Sequence, residues 1–133
     1  MIRAYGRGDY MAADNIQDSI LKTVKNLIGV ASECADFDTN IMVHINSAIM
    51  TLRQIGIGPK NGFSVRDSSS TWTDYIDDIN LYESVKDYIY LKVKIVFDPP
   101  TSSYVLEAMK EQIKELEWRL QTEKEEIEKE RNS

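Results

Sequence analysis

The sequence has few of the residues on which enzymes and metal sites depend. It contains one cysteine, Cys34, and one histidine, His44. A single cysteine cannot form an intramolecular disulfide, so an oxidising compartment is not implied. With one residue of each type, most metal sites and most pairs of a nucleophile and its base are excluded. No Rossmann, P-loop, zinc, EF-hand or serine-hydrolase motif is present. We therefore expect a protein that is not an enzyme, with no catalytic, cofactor-binding or metal-binding residues.

Long apolar runs and an excess of positive charge are also missing. No stretch approaches the roughly 20 apolar residues that cross a bilayer, and the N-terminus lacks the apolar segment of a secretory signal. We expect a protein made in the cytoplasm, with no membrane partner. The net charge of −6 argues against tight, non-specific binding of nucleic acid, which requires lysine and arginine. It still allows DNA to slide through a passage without sticking.

What is present is typical of one soluble, globular domain. The chain has 133 residues, of which 42% are hydrophobic and 29% are charged. Its best-determined feature is a pair of helices joined by a corner at Asp98-Pro99-Pro100, because proline cannot continue a helix and disfavours helical geometry in the residue before it. The first helix follows an N-cap at Asn80, with Glu83 completing a capping box. The second runs from Ser102 to about Arg131. Both carry apolar residues at steps of three and four.

Two further helices precede this pair. The first is predicted from Asn15 to Ile28, with Asp14 as its N-cap and Gly29 ending it in a left-handed conformation. The second is predicted from Thr39 to Ile55, with four positions facing inward: Ile41, Ile45, Ala48/Ile49 and Leu52. The sequence therefore predicts an all-α fold, a small bundle of four to five helices with a long C-terminal helix. We divide it into an arm or extension (residues 1–13), a helical domain (14–120) and a polar tail (121–133).

Four short motifs have a structural and a functional interpretation. Gly56 to Phe63 fits a helix C-cap followed by turns, and it resembles a phosphate cradle only weakly. Trp72 to Ile76 fits a helical turn that closes the end of the core, although an aromatic site for a small ligand is the alternative. Arg7-Gly8-Asp9 matches a cell-adhesion tripeptide by its letters alone. His44 is interpreted as a partly exposed helix residue rather than a catalytic one.

Several runs together resemble a known family. They are residues 81–103 (LYESVKDYIYLKVKIVFDPPTSS), 109–120 (MKEQIKELEWRL), 45–59 (INSAIMTLRQIGIGP) and 72–76 (WTDYI). In this order they are similar to the small head–tail connector proteins of tailed bacteriophages, also called adaptor or head-completion proteins. The resemblance extends over residues 15–120 and consists of packing and turn motifs.

The resemblance implies a virion structural protein of the phage neck, assembled in the host cytoplasm. Such connectors commonly form a homo-oligomeric ring of about twelve copies, a dodecamer. The ring lies under the portal protein, extends the channel for double-stranded DNA without binding it specifically, and carries a downstream neck, tail or stopper protein. The alternative is a non-enzymatic helical interaction or regulatory module that forms a small oligomer. A long coiled coil on the last helix is disfavoured, because its apolar stripe nearly stops at Leu120.

Three surfaces are candidates for partner contacts. The first is the loop at residues 56–63, for a neighbouring ring. The second is the surface of the helix that follows Asn80, for packing between subunits, since its three tyrosines cannot all face inward. The third is residues 121–131, for the portal, with a solvated helix end as the alternative. The corresponding residues are Gly56, Gly58, Pro59 and Lys60; Tyr82 and Tyr90; and Glu125, Glu126, Ile127 and Lys129.

Overall fold

The computed structural model describes residues 15–132. Within this range the chain forms five α-helices and no β-strand, which confirms the predicted all-α class. The predicted N-terminal arm and the predicted cap at Asp14 lie outside the described residues. The helices are α1 (Ile20–Leu27), α2 (Asp38–Ile55), α3 (Trp72–Tyr75), α4 (Ile79–Phe97) and α5 (Ser103–Asn132). None of them has the length and the apolar content needed to span a membrane.

Helix α4 is the centre of the packing. It contacts both α2 and α5 extensively, whereas α2 and α5 meet only over a short length. Tyr88, Ile89 and Val93 of α4 are fully buried between them. The inward positions predicted for α2 are all buried, and so are Ile113, Leu116 and Leu120 of α5. The periodic spacing of apolar residues therefore identified most of the buried positions of the three long helices, although Val96 near the end of α4 is 55% exposed.

The predicted proline corner is confirmed. Helix α4 ends at Phe97, and the next helix begins at Ser103 after the two prolines. The hydroxyl of Ser102 accepts a hydrogen bond from the backbone N–H of Val105 at 3.3 Å. Ser102 thus satisfies a donor that the start of a helix leaves free. The corner turns the chain so that α5 returns along α4.

The predicted start of α1 is wrong. The helix begins at Ile20, with Ser19 as its N-cap, and residues 15–18 form a turn instead. The backbone of this turn and of the first helical residue bonds to a distant segment: Asp18 O accepts from Trp72 N at 3.2 Å, and Ile20 N donates to Ser70 O at 2.9 Å. Because these carbonyl and amide groups bond across to residues 70–72, they cannot continue the helical ladder.

The cap of α4 also differs from the prediction. Asp78, not Asn80, is the N-cap, and its side chain accepts from the backbone N–H of Asn80 at 2.9 Å. Glu83 forms no capping box and pairs with Lys86 at 3.0 Å. A complete capping box is found instead on α3, between Thr71 and Asp74. Since Asp and Asn are equally good caps, the choice between two such residues depends on how the preceding chain approaches.

Two buried polar contacts hold the smaller elements in place. The indole N–H of Trp72, a fully buried residue, donates to the hydroxyl of Thr23 on α1 at 3.2 Å. This contact confirms that α3 closes the end of the core. The buried Lys25 of α1 fixes the connection between α1 and α2, because its ammonium donates to the carbonyls of Ser32 (3.1 Å) and Cys34 (2.6 Å) and pairs with Asp38 of α2 (2.8 Å).

Candidate partner-binding surfaces

The loop after α2 and the last turns of α5 face each other across a groove of about 520 Å³. The loop occupies residues 56–63, and the C-terminal segment of α5 is residues 121–131. These are two of the three surfaces singled out in the sequence, and the fold brings them together. The groove is lined by residues 56–60 of the loop, residues 73–78 and Leu81 around α3 and α4, and Lys124, Ile127, Glu128 and Arg131 of α5.

Two glycines allow the loop to pass close to its neighbours. Gly56 has φ of 104° and Gly58 has φ of 93°, both in the left-handed region that other residues rarely adopt. A Cβ atom at Gly56 would lie 2.7 Å from Nζ of Lys124. The loop is also fixed to α3, because the ring of Phe63 stacks on that of Tyr75 with a centroid distance of 5.0 Å. The loop is therefore a shaped surface held against the core.

Three backbone amides of this loop donate to carbonyls of the chain itself. Gly56 N and Ile57 N both donate to Leu52 O, at 3.1 and 2.9 Å, and Gly62 N donates to Pro59 O at 3.0 Å. A phosphate cradle needs several free N–H groups that point at one place. The loop instead has the bonds of a helix C-cap and a following turn, as the structural interpretation of the sequence predicted.

The C-terminal segment presents two different faces. Ile127 is half-buried in the groove, next to Lys124, whose ammonium pairs with Glu128 at 3.3 Å. Glu125, Glu126 and Lys129 are exposed on the other side of the helix. Helix α5 continues through residue 120 without a break. Since the segment is helical, the position of Lys124 and Ile127 in the groove also fixes the position of the exposed residues on the other side of the helix. The predicted boundary between domain and tail at residue 120 stays a prediction.

The tyrosines of α4 differ in part from the prediction. Tyr82 is only 3% exposed, and its ring meets the edge of Trp72 at a centroid distance of 5.7 Å. The expectation that Tyr82 lies on the surface is therefore wrong, because α3 packs over the first turn of α4 and covers that ring. Tyr90 is half-buried, and its contact with another subunit stays a prediction.

Two other tyrosines lie in the core. The hydroxyl of Tyr88 donates to Oε2 of Glu117 at 2.7 Å, which links α4 to α5. Burial raises the pKa of Tyr75 above its ordinary value. Burial, and then the hydrogen bond to Glu117, raise the pKa of Tyr88 in the same way. Both groups therefore stay protonated in the folded protein, and their role is in packing.

The described residues contain no group of three or more His, Cys, Asp and Glu side chains that could hold a metal ion. His44 is half-buried on α2, as predicted, and Cys34 is half-buried in the connection before it. The short aromatic motif of α3 is occupied by core packing, because Trp72 and Tyr75 are both buried.

Sequence reasoning did not single out a second type of surface, made of exposed apolar side chains. Val43 and Met50 on α2 are 59% and 63% exposed, and Tyr104 and Trp118 on α5 are 84% and 68% exposed. One signal in the sequence could have indicated the first pair. From Thr39 to Leu52 the chain has no Asp, Glu, Lys or Arg, which is unusual for a helix with one face in water.

A family model described as phage connector protein matches residues 20–127 of the chain. The matched range begins with α1 and includes the 56–63 loop, the proline corner and most of the C-terminal segment. No curated protein and no solved structure matches the chain.

Proposed function

Because the chain belongs to the phage connector protein family, we propose that it forms a homo-oligomeric ring beneath the portal of a tailed phage and joins the head to the tail. Membership of this family gives a structural role in the phage connector, a place in the virion, and contacts with other head or tail proteins. The ring, the portal and the DNA channel are the proposal. The observation that carries it is the family match over residues 20–127, which includes all but the last turn of the helical body.

The groove suits a protein that binds its partner with a preformed surface. Ile127 and Lys124 hold the end of α5 beside the 56–63 loop, so Glu125, Glu126 and Lys129 are presented on an ordered helix. Binding then requires little further ordering of the chain, and loss of conformational entropy is a main cost of association. We assign this outward face to the portal and the 56–63 loop to the next ring of the neck.

The net negative charge of the chain is suited to a protein that lines a DNA channel. A ring of subunits that each carry a net charge of −6 repels the phosphate backbone. Tight binding of DNA needs clustered lysine and arginine to displace counterions. DNA would therefore pass through the ring without being held, and no chemical step on a substrate is involved.

Imaging of the purified chain by negative-stain electron microscopy, alone and with its portal, tests the proposal. We expect added density beneath the portal, with rotational symmetry about the channel. A discrete small oligomer that does not bind the portal would favour the alternative, a helical interaction module. The purified chain alone need not form a ring, because assembly on the portal is part of the proposal.

Charge reversal tests the assignment of the C-terminal segment. We expect the double variant Glu125→Lys/Glu126→Lys to bind the portal several-fold more weakly while its thermal unfolding is unchanged, because both side chains are exposed. The matched control is Glu33→Lys/Asp36→Lys. These two exposed acids precede α2, at the opposite end of a helix about 27 Å long. Equal portal binding by the two double variants would contradict the assignment.

A further inference from the structure

The two exposed apolar surfaces fit each other across a subunit boundary. We propose that the outer face of α2 in one copy of the chain packs against the outer face of α5 in the next copy. This inference rests on the proposed function, since it supplies the lateral contact of the ring. The α2 outer face is Thr39, Asn40, Val43, Ser47, Met50 and Gln54, and the α5 outer face is Tyr104, Ala108, Glu111, Glu115 and Trp118.

The α2 outer face lacks the charges of a solvated helix surface. It is on the side of α2 opposite to the buried residues Ile41, Ile45 and Leu52. More than half of the area of Val43 and Met50 is exposed, and Ser47, between them on the same face, is small. In a chain with 29% charged residues, an exposed helix face of this length without any charge is unusual. Depletion of charge with exposed apolar residues is typical of the core of an interface.

The α5 outer face has a different composition. Tyr104 and Trp118 are its most exposed large side chains, and they lie on one side of the helix, opposite to the buried Ile113 and Leu120. Tyrosine and tryptophan are enriched at protein interfaces, where they bury a large apolar area and keep a polar tip. Glu111 and Glu115 lie between the two rings on the same face, and each pairs with a basic residue along the helix, Lys114 at 3.8 Å and Arg119 at 2.7 Å. This face is therefore aromatic and charged, with its acidic side chains between the rings.

The charges of the two surfaces are complementary. From Thr39 to Arg66 the chain has three basic residues and no acidic one, whereas residues 103–118 of α5 include four acidic and two basic residues. The structure places one of these basic residues, Arg66, near α2. The side chain of Asn46 holds the backbone of Val65 through two hydrogen bonds of 2.9 and 2.7 Å, which brings Arg66 alongside the helix. Opposite charge at the rim of an interface directs association and excludes wrong pairings.

Charge also favours a contact between the α2 outer face and the α5 outer face over a contact of either face with its own copy. Two α5 outer faces would bring Glu111 and Glu115 against their own copies, whereas the α2 outer face has no acidic side chain and Arg66 lies near its helix. A contact between unlike faces is heterologous, so every subunit keeps one free face for the next and the chain of contacts can close into a ring. The two faces point in different directions, because α4 packs between α2 and α5.

The size of the faces indicates how strong the contact is. A standard interface buries about 800 Å² on each partner, and one face of a helix about 27 Å long supplies only part of that. We therefore expect weak lateral association in free solution and strong association where a template holds many copies together.

Cysteine cross-linking between two differently tagged copies tests the proposed pairing. All variants carry Cys34→Ser. One copy carries Ser47→Cys at the centre of the α2 outer face, and the other carries Ala108→Cys on the α5 outer face. These small changes leave Val43, Met50, Tyr104 and Trp118 in place. The full-length chains are mixed at high concentration, treated with a bismaleimide, and dimers that carry both tags are quantified.

We expect the mixed-tag dimer in several-fold higher yield than from a control pair, Asn80→Cys with Ala108→Cys, since Asn80 is exposed in the first turn of α4 and belongs to neither face. Adding Trp118→Ala to the Ala108→Cys copy should lower the yield to the control level, whereas adding Asn80→Ala should leave it unchanged. A yield no higher than that of the control pair, or a predominance of single-tag dimers, would overturn the proposal. If the chain binds its portal but gives no such cross-link, the proposed function is supported and the proposed interface is wrong.

Discussion

The ring of Tyr75 lies directly against the backbone of Gly58, so that a Cβ atom at position 58 would stand 2.7 Å from Cε1 of the tyrosine. Tyr75 is buried, and Phe63 stacks on its ring. The ring therefore cannot swing aside as the end of an exposed lysine can. This contact couples the shape of the 56–63 loop to the packing of α3 into the core.

The first prediction concerns this contact. We expect Gly58→Ala to lower the free energy of unfolding by the cost of a left-handed alanine, about 1–2 kcal/mol, and by overpacking against Tyr75, about 1–3 kcal/mol more. Gly29→Ala is the matched control, because Gly29 has a similar φ of 86° and nothing within 4 Å of its missing Cβ. Urea unfolding of both variants separates the cost of the left-handed backbone from the cost of overpacking. If both variants lose the same free energy of unfolding, the ring of Tyr75 moves aside at no measurable cost and the prediction is wrong.

The second prediction compares two ion pairs of equal length and unequal burial. Lys25 pairs with Asp38 and Lys94 with Asp98, both at 2.8 Å, but the side chain of Lys25 is 3% exposed and that of Lys94 is 27% exposed. We expect Lys25→Met to destabilise the fold by on the order of 3 kcal/mol, because it leaves a carboxylate and two carbonyls without their donor. Lys94→Met should cost less than about 1 kcal/mol. Thermal unfolding distinguishes the two, and a similar loss from both would contradict the role assigned to burial.

The long helices could be predicted from sequence because their information is local. Periodic apolar residues identified the buried faces of α2, α4 and α5, and two prolines identified the corner. The failures depended on contacts between distant residues. The start of α1 is decided by backbone bonds to residues 70–72, and the burial of Tyr82 is decided by the position of Trp72. No periodicity within one helix contains that information.

The candidate surfaces also depend partly on local sequence and partly on contacts between distant residues. The 56–63 loop and the C-terminal segment stood out separately, as a glycine-rich turn and a charge-rich end. That they meet in one groove depends on the direction in which the proline corner sends α5 and on the length over which α5 stays helical. Neither quantity follows from residue spacing. The sequence did contain one indication of the α2 outer face, the absence of charge from Thr39 to Leu52. That absence indicates an interface only when the structure shows that this side of the helix is exposed.

The third prediction follows from the raised pKa values of Tyr75 and Tyr88. In the unfolded chain a tyrosine loses its proton near pH 10, whereas in the folded protein both pKa values lie higher. Above pH 10 the unfolded state therefore binds fewer protons than the folded state, and stability falls as the pH rises, by about 1.4 kcal/mol per pH unit for each tyrosine. Urea unfolding between pH 9 and 11 measures this slope.

The control for the pH dependence is a pair of phenylalanine variants. Tyr75→Phe and Tyr88→Phe should each reduce the slope above pH 10 by about one proton, while the lysines contribute equally to all the curves. Tyr88→Phe should also lose the hydrogen bond to Glu117, at a cost of about 1–2 kcal/mol near neutral pH. A slope that is unchanged in both variants would mean that neither hydroxyl stays protonated in the fold.

The last prediction tests whether the groove holds the end of α5. Ile127 is half-buried there, whereas its neighbour Glu126 is exposed. We expect Ile127→Asp to release the C-terminal segment, because it removes the apolar contact and adds a carboxylate beside Glu128. Amide hydrogen exchange should then become faster over residues 121–132 and stay unchanged in α2 and α4. Glu126→Ala, the control, should leave exchange in both regions as it is.

If the segment is presented to the portal as a preformed helix, Ile127→Asp should also weaken portal binding, because the cost of ordering the helix would then oppose association. Fast exchange together with unchanged portal binding would mean that the portal does not require that helix.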